Sequence, residues 1–388
     1  MKDLGEGTIR RIDWQELTPV VLLLRIFNTA TGIRVLFLSL IGILLTLIAG
    51  YGINCNSFKS HETRNFQEPV YIEPLLGFQN QQQQQQISFR EHPAEYSWQL
   101  VRRSVLVPWD IFSIAGIRLF RLEGNSIGAY TAWFFVLLFI WTFFGGMICR
   151  TIALRLTIDQ SESDKELWQF IKQRGTGFLS SVIIIVLGIL FCLIPIKCFG
   201  WLFAYPVFDY LTAVLFPVTI LFGFFVMILV IGLFLGWSLL FAAVSVDGSD
   251  GFDAVSRMFS YVYQRPLHYL VYWTVSGILG VLGFVFVSIF VDGIIFLTYK
   301  FGGFPVQTAI SSFGCLTLPE TYAGLSPPEN LILIWCAMVQ LMKLAYVFAW
   351  FWTSSVAIYL LLRRSVDATP FNEVYRLAPA KPRTLPKL

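Results

Sequence analysis

The sequence predicts an all-α integral membrane protein, a bundle of about six transmembrane helices. Three observations carry this: an excess of apolar residues, six nearly uncharged stretches of spanning length, and basic residues gathered at one set of stretch ends. Hydrophobic residues fill 56% of the 388 positions and charged residues only 13%, about half the usual quarter. A water-soluble domain could not cover so much apolar surface with so little charge. The net charge is +4. The surplus Lys and Arg lie mostly beside the apolar stretches, so they read as orientation signals and exclude a nucleic-acid footprint.

A helix needs about 20 apolar residues to cross the hydrocarbon core. The stretches that qualify are Val35–Ile53, Gly128–Cys149, Phe178–Ile196, Leu211–Ser245, Leu267–Leu297 and Leu331–Leu362. The last three are long enough that they must tilt, kink or project, and Pro217 inside the fourth is a kink site. Arg10, Arg11 and Arg34 precede the first stretch; Arg150, Arg155, Lys165, Lys172 and Arg174 follow the second. Arg257 and Arg265 separate the fourth from the fifth, and Arg363 and Arg364 close the sixth. The opposite side has only Lys197 and Lys300 near short connections. This asymmetry predicts cytoplasmic termini. The opening MKDLGEGTIRRIDWQ is too polar for a secretory leader, and the terminal Pro-Lys-Leu is no prenylation box.

The chain divides into a cytoplasmic N-terminus with an interfacial helix (1–34), three two-span units (35–149, 150–245 and 246–364) and a cytoplasmic tail (365–388). The first unit contains a long outer loop, 54–127, with the polar run Gln81–Gln86 as a disordered tip. From Trp98 to Leu122 the loop turns amphipathic, with Val101, Val105, Ile111, Ile114 and Ile117. Two readings fit: a helix lying in the outer interface, or one packed on the outer face of the bundle.

The three units share a signature. Thr157-Ile158-Asp159, Ser245-Val246-Asp247 and Ser365-Val366-Asp367 leave the even spans, and Glu166, Asp253 and Glu373 follow six or seven positions later. A short amphipathic stretch then ends at a breaker before the next span: Thr31-Gly32, Thr176-Gly177 and Arg265-Pro266. All three units run in the same direction, so they read as parallel repeats with interfacial amphipathic helices. The acidic residues read as helix caps. Ser163 and Glu166 have capping-box spacing, Ser249 or Asp250 precedes Asp253, and Thr369-Pro370 precedes Glu373. Asp159, Asp247 and Asp367 belong to the same architectural motif.

Catalytic signatures are weak. Asp247-Gly248-Ser249-Asp250-Gly251-Phe252-Asp253-Ala254 resembles the opening of the CDP-alcohol phosphatidyltransferase motif, whose aspartates hold a divalent metal. Val255 stands where that motif needs Arg, and Gln264, His268 and Tyr272 stand where it needs Gly and two Asp. Three dispersed histidines and six scattered cysteines offer no zinc spacing, and no cofactor box is indicated. Within the spans, Asp292 and Lys343 fall near the outer ends at 1.5 Å per residue, with Gln340 one turn before Lys343. They form a candidate polar or ion-pair site; a snorkelling surface pair is the alternative. Cys55, Cys198 and Cys315 each follow an odd span on the outer side, leaving three disulfide pairings or free thiols open. Trp201, Trp237, Trp273, Trp350 and Trp352 suit aromatic belts. Gly145, Gly146, Gly232, Gly236, Gly277 and Gly280 permit close helix approach, and Gly232-x-x-x-Gly236 is a weak dimerisation signal.

Through Phe252–Leu270 (FDAVSRMFSYVYQRPLHYL) the chain resembles bacterial polytopic membrane proteins built from repeated two-span units joined by short cytoplasmic helices. The resemblance implies a seat in a bacterial cytoplasmic (inner) membrane and no activity. The first expectation is a non-catalytic membrane component or scaffold, whose partners are the lipid bilayer, membrane proteins or further copies of itself. The second is a small-molecule or lipid transporter, which needs a wet cavity near Ser180, Ser181, Thr219, Thr274, Ser276, Ser354 and Ser355. The third is an enzyme acting on lipid at the inner face, which needs converging carboxylates.

Overall fold

The computed structural model describes residues 21–59, 100–109, 111, 127–205, 207–302 and 327–376. Among them there is no strand. The helices are α1 (Val21–Ala30), α2 (Ile33–Lys59), α3 (Ile127–Ile158), α4 (Asp164–Leu202), α5 (Asp209–Val214), α6 (Phe216–Asp247), α7 (Gly251–Gln264), α8 (Pro266–Gly302) and α9 (Pro327–Asp367), with a π-helical turn at Arg102–Leu106. Six of them, α2, α3, α4, α6, α8 and α9, are long and apolar enough to cross a membrane. The chain is an all-α integral membrane bundle.

The helix α9 is the axis of the bundle. Every residue from Lys343 to Arg363 is buried, because α1, α2, α3, α6 and α8 all lie against it. Burial is concentrated at the end where Arg150, Asp247 and Arg363 lie, hereafter the charged end. In α6 the half from Gly236 to Val246 is buried throughout, whereas no residue from Phe216 to Ile231 is. The spanning helices thus converge at the charged end, and α4 and α6 stand away from the bundle at the distal end.

Helix boundaries follow local chemistry, with three departures from expectation. First, α4 runs unbroken through Gly175-Thr176-Gly177. A capping box between Ser163 and Glu166 starts it, and Leu167, Phe170, Ile171, Phe178, Val182, Ile185 and Ile189 keep one buried stripe. Gly177 serves close approach and not breakage: a Cβ there would lie 3.1 Å from the Ser249 carbonyl oxygen. Second, Pro217 sits in the first turn of α6, after the separate helix α5. Its missing N–H costs nothing there, so it kinks no helix. Third, no helix follows Thr369-Pro370 among the described residues; 371–372 form a turn and 373–376 have no regular secondary structure.

The three positive-φ residues among those described are Asp159 (53°), Gly248 (63°) and Ala368 (53°), and they terminate α3, α6 and α9. A left-handed residue just after the last turn closes a helix and redirects the chain. The redirected chain enters α4 in the first case, α7 in the second and an irregular strap in the third.

The long connection between α2 and α3 enters the bundle. In its described part, Val107 and Ile111 are buried in the core, and the Trp109 ring lies 5.2 Å from Phe234, 5.9 Å from Trp237, 6.0 Å from Trp273 and 6.3 Å from Phe351. Those rings belong to α6, α8 and α9. The described segment, helical over residues 100–109, therefore lies between spanning helices and not on the outer face.

Candidate functional site

Two groups of polar residues lie among the apolar helices. The larger is at the charged end, where the left-handed turns bring the ends of α3, α6 and α9 together. Arg150, in α3, is fully buried. Its guanidinium donates to both Glu162 carboxylate oxygens (Nε to Oε2 3.2 Å, the second bond 2.5 Å), to the Ser245 carbonyl (3.1 Å) and to the Tyr375 carbonyl (2.8 Å). The Phe170 ring lies 4.5 Å from its central carbon. A buried guanidinium is tolerable only with its donors matched in this way. Arg34 adds a bond to the Glu162 carbonyl (2.6 Å) and pairs with Asp164.

Asp247 closes α6 and gathers three donors. Arg257 of α7 reaches one carboxylate oxygen at 3.0 Å, Arg363 of α9 reaches the other at 3.2 Å, and the Tyr359 hydroxyl donates to the first. Arg257 also holds Asp253 at 3.1 Å, and Tyr261 of α7 donates to Asp367. Burial, reinforced by the Asp367 acceptor, pushes the Tyr261 phenol up from its ordinary range. Arg363 continues to the Glu373 carbonyl at 2.7 Å and its carboxylate at 3.9 Å. The Asp247 carboxylate is thus already matched by two arginines and a phenol.

The predicted cap residues therefore divide. Glu166 receives the Ser163 backbone N–H at 2.8 Å, and Asp250 accepts the Asp253 N–H at 2.9 Å at the start of α7. Asp247, Asp253 and Asp367 join the ionic network instead of only ending helices. Asp159 is exposed at its left-handed turn. Glu373 caps no helix; it lies in the strap. Arg150 and Arg363, expected as membrane-boundary signals, point into protein.

The smaller group is distal. Asp292 of α8 accepts from Lys343 at 2.6 Å and from Gln340 at 3.1 Å, both of α9. The Lys343 side chain is 7% exposed and that of Asp292 27%, so the pair is set between the two helices. Further out, the Tyr299 hydroxyl lies 3.2 Å from the Cys336 sulfur.

Between these groups the hydroxyls expected for a cavity are engaged, except that of Thr219, which has no hydrogen-bond partner. Ser276 and Ser354 bond each other at 2.6 Å, and Trp350 donates to the Ser276 carbonyl at 3.1 Å. Ser180, Ser181, Thr274 and Ser355 donate to carbonyls of their own helices. Aromatic rings fill the interior around them: Trp141 stacks on Phe348 at 4.6 Å, Trp237 on Phe351 at 5.1 Å, and Phe241 lies 5.0 Å from Trp352. Of the tryptophans expected in interfacial belts, Trp201 is exposed, but Trp237, Trp350 and Trp352 are core residues. Large rings near a span end fit an interior wherever helices converge, which a linear pattern does not show.

The helix α7 takes up the small-residue pair of α6. A Cβ at Gly232 would meet Phe259, and one at Gly236 would meet Met258. The pair serves packing within the chain, and Gly277 has no neighbour within 4 Å. Cys198 is an exposed free thiol; Cys315 and the side chain of Cys55 lie outside the described residues, as does the run Gln81–Gln86. No family model matches this chain, and no curated protein and no solved structure is significantly similar to it.

Proposed function

We propose that the protein is a non-catalytic membrane component that holds partner proteins or lipids, seated in a bacterial cytoplasmic membrane with its charged end and both termini in the cytoplasm. The observation that carries the reading is the filled interior. The buried part of α9 packs Phe348, Phe351 and Trp352 against Trp141, Trp237 and Phe241 of its neighbours. Ser276, Ser354 and Ser355 are spent on each other or on a carbonyl, while the buried hydroxyls of Tyr346, Ser238, Ser245 and Ser288 have no hydrogen-bond partner. A transporter needs several free hydroxyls gathered along one wet path, whereas the unpartnered ones are dispersed over α2, α3, α6, α8 and α9. A lipid-modifying enzyme needs a free carboxylate or a metal cage, and Asp247 is taken by Arg257, Arg363 and Tyr359. Basic residues at the charged end support the orientation. The three left-handed helix ends, each beside its own hydroxyl–β-branched–Asp signature, support three parallel two-helix repeats.

The surface offered for partners is the distal half of α4 and α6 with α5 between them, where Phe191, Trp201, Tyr210, Phe216 and Phe224 are exposed. The test is a photoreactive residue at Phe224 or Tyr210 in intact cells, with the charged end as control. The account expects discrete protein or lipid adducts from the distal positions. Absence of adducts, together with solute flux into vesicles holding the purified chain, would refute it.

A further inference from the structure

The chain after α9 does not simply trail away. The Tyr375 backbone N–H donates to the Val246 carbonyl at 2.8 Å, and the Tyr375 carbonyl accepts from buried Arg150 at 2.8 Å. Two residues earlier the Glu373 carbonyl accepts from Arg363 at 2.7 Å. The Tyr375 ring lies over Gly248, where a Cβ would come within 2.4 Å of it. Gly248 also has φ +63°, so two independent demands select glycine there. Phe170 borders the ring at 6.4 Å, and the Arg174 guanidinium sits 4.9 Å from its centre. Phe371 is held separately, 4.8 Å from the guanidinium of Arg364.

This is how short linear peptides are recognised. Main-chain bonds hold the segment, and one pocket reads one side chain. The seat is built by α3 (Arg150), α4 (Phe170 and Arg174) and the end of α6 (Val246 and Gly248); the segment that fills it is tethered to α9. Tethering gives the segment an effective concentration in the millimolar range, so a seat of modest intrinsic affinity stays filled until a competitor arrives.

We propose that this groove is a binding site for a non-helical peptide segment that inserts an aromatic side chain, occupied by Tyr375 and its neighbours in residues 371–376 of the same chain, and that a partner protein presenting such a segment docks by displacing them. The proposal goes beyond the scaffold reading, because it names a second interface at the opposite end from the distal surface and the chemistry that fits it.

The test uses the full-length chain in lipid nanodiscs and a fluorescent peptide FNEVYR, which is residues 371–376. Tyr375→Ala weakens the tethered occupant and leaves the seat intact. Fluorescence anisotropy is expected to show the peptide binding Tyr375→Ala at least tenfold more tightly than wild type. Alanine in place of the peptide's tyrosine abolishes binding, and adding Arg174→Ala to the chain weakens it severalfold. A second readout needs no weakened chain: excess peptide raises maleimide labelling of Val374→Cys, a position packed against the core when the tail is seated, in an otherwise wild-type tail. Equal binding to both chains, or no binding and no change in labelling, overturns the proposal. Wild-type dimers cross-linked between the Tyr375 position of one copy and the Gly248 position of another would assign the seat to a second copy and overturn the trans-acting partner. Distal adducts can fail while peptide binding succeeds, so this result and the scaffold result are separable.

Discussion

The two ends of the molecule solve opposite problems. At the charged end, buried arginines and carboxylates from α3, α6, α7 and α9 interlock, and the strap binds across them. At the distal end, the described polar cross-link is confined to one helix pair, α8 with α9, while α4 and α6 show apolar side chains to their surroundings. In lipid, apolar burial drives helix association weakly, because acyl chains are as apolar as leucine. Directional polar contacts and close packing therefore decide which parts stay together. The difference teaches that the charged end is the clamp, and that the distal hairpins are free to meet lipid or partners.

Substitutions sharpen this contrast. The largest effect is expected from Arg150→Ala, which leaves Glu162 without its partner and two carbonyls without a donor. Losing one member of a buried pair costs about 3–5 kcal/mol, read as a large fall in thermal stability in mild detergent. Asp247→Asn comes next. It leaves Arg257 and Arg363 facing a neutral amide, for a loss of about 2–3 kcal/mol by the same assay. Trp109→Ala removes the ring that meets α6, α8 and α9 together; edge-on aromatic contacts at about 0.5–1.5 kcal/mol each predict a loss between those of Asp247 and Lys343. Lys343→Met breaks a contact inside a single helix pair and should cost about 1 kcal/mol, in the range of polar pairs in membrane bundles. Phe224→Ala, on the exposed half of α6, should change stability by less than about 0.5 kcal/mol. If Lys343→Met proved as damaging as Arg150→Ala, the division into clamp and free end would fail.

The fold class was legible because lipid imposes it: six apolar stretches can only be helices. Several helix starts were legible as well, since the Ser163–Glu166 pair and the breaks at Gly32 and Pro266 act locally. What stayed hidden depends on the third dimension. Arg150 and Arg363 carry the same linear signal whether they face headgroups or protein. The pattern around Trp109 is amphipathic, and a half-apolar segment suits an interface and a slot between helices equally well. Thr369-Pro370 resembles a helix start, but Ala368 in the left-handed region and the Tyr375–Val246 bond commit the chain to a non-helical path. The Asp292–Lys343 pairing was suggested by rise per residue alone; Tyr359 and Tyr261 as donors to Asp247 and Asp367 were not, since nothing in their spacing marks the contact.

The contrast between the ends can be measured directly as two distance distributions. Spin labels at Gln160 and Ala368 report on the charged end, and labels at Tyr210 and Trp335 report on the distal hairpins; all four positions are exposed. Double electron–electron resonance on the purified chain in lipid nanodiscs should give a narrow distribution for the first pair and a broad one for the second. A distal distribution as narrow as that of the charged end, in the absence of any partner, would contradict the account.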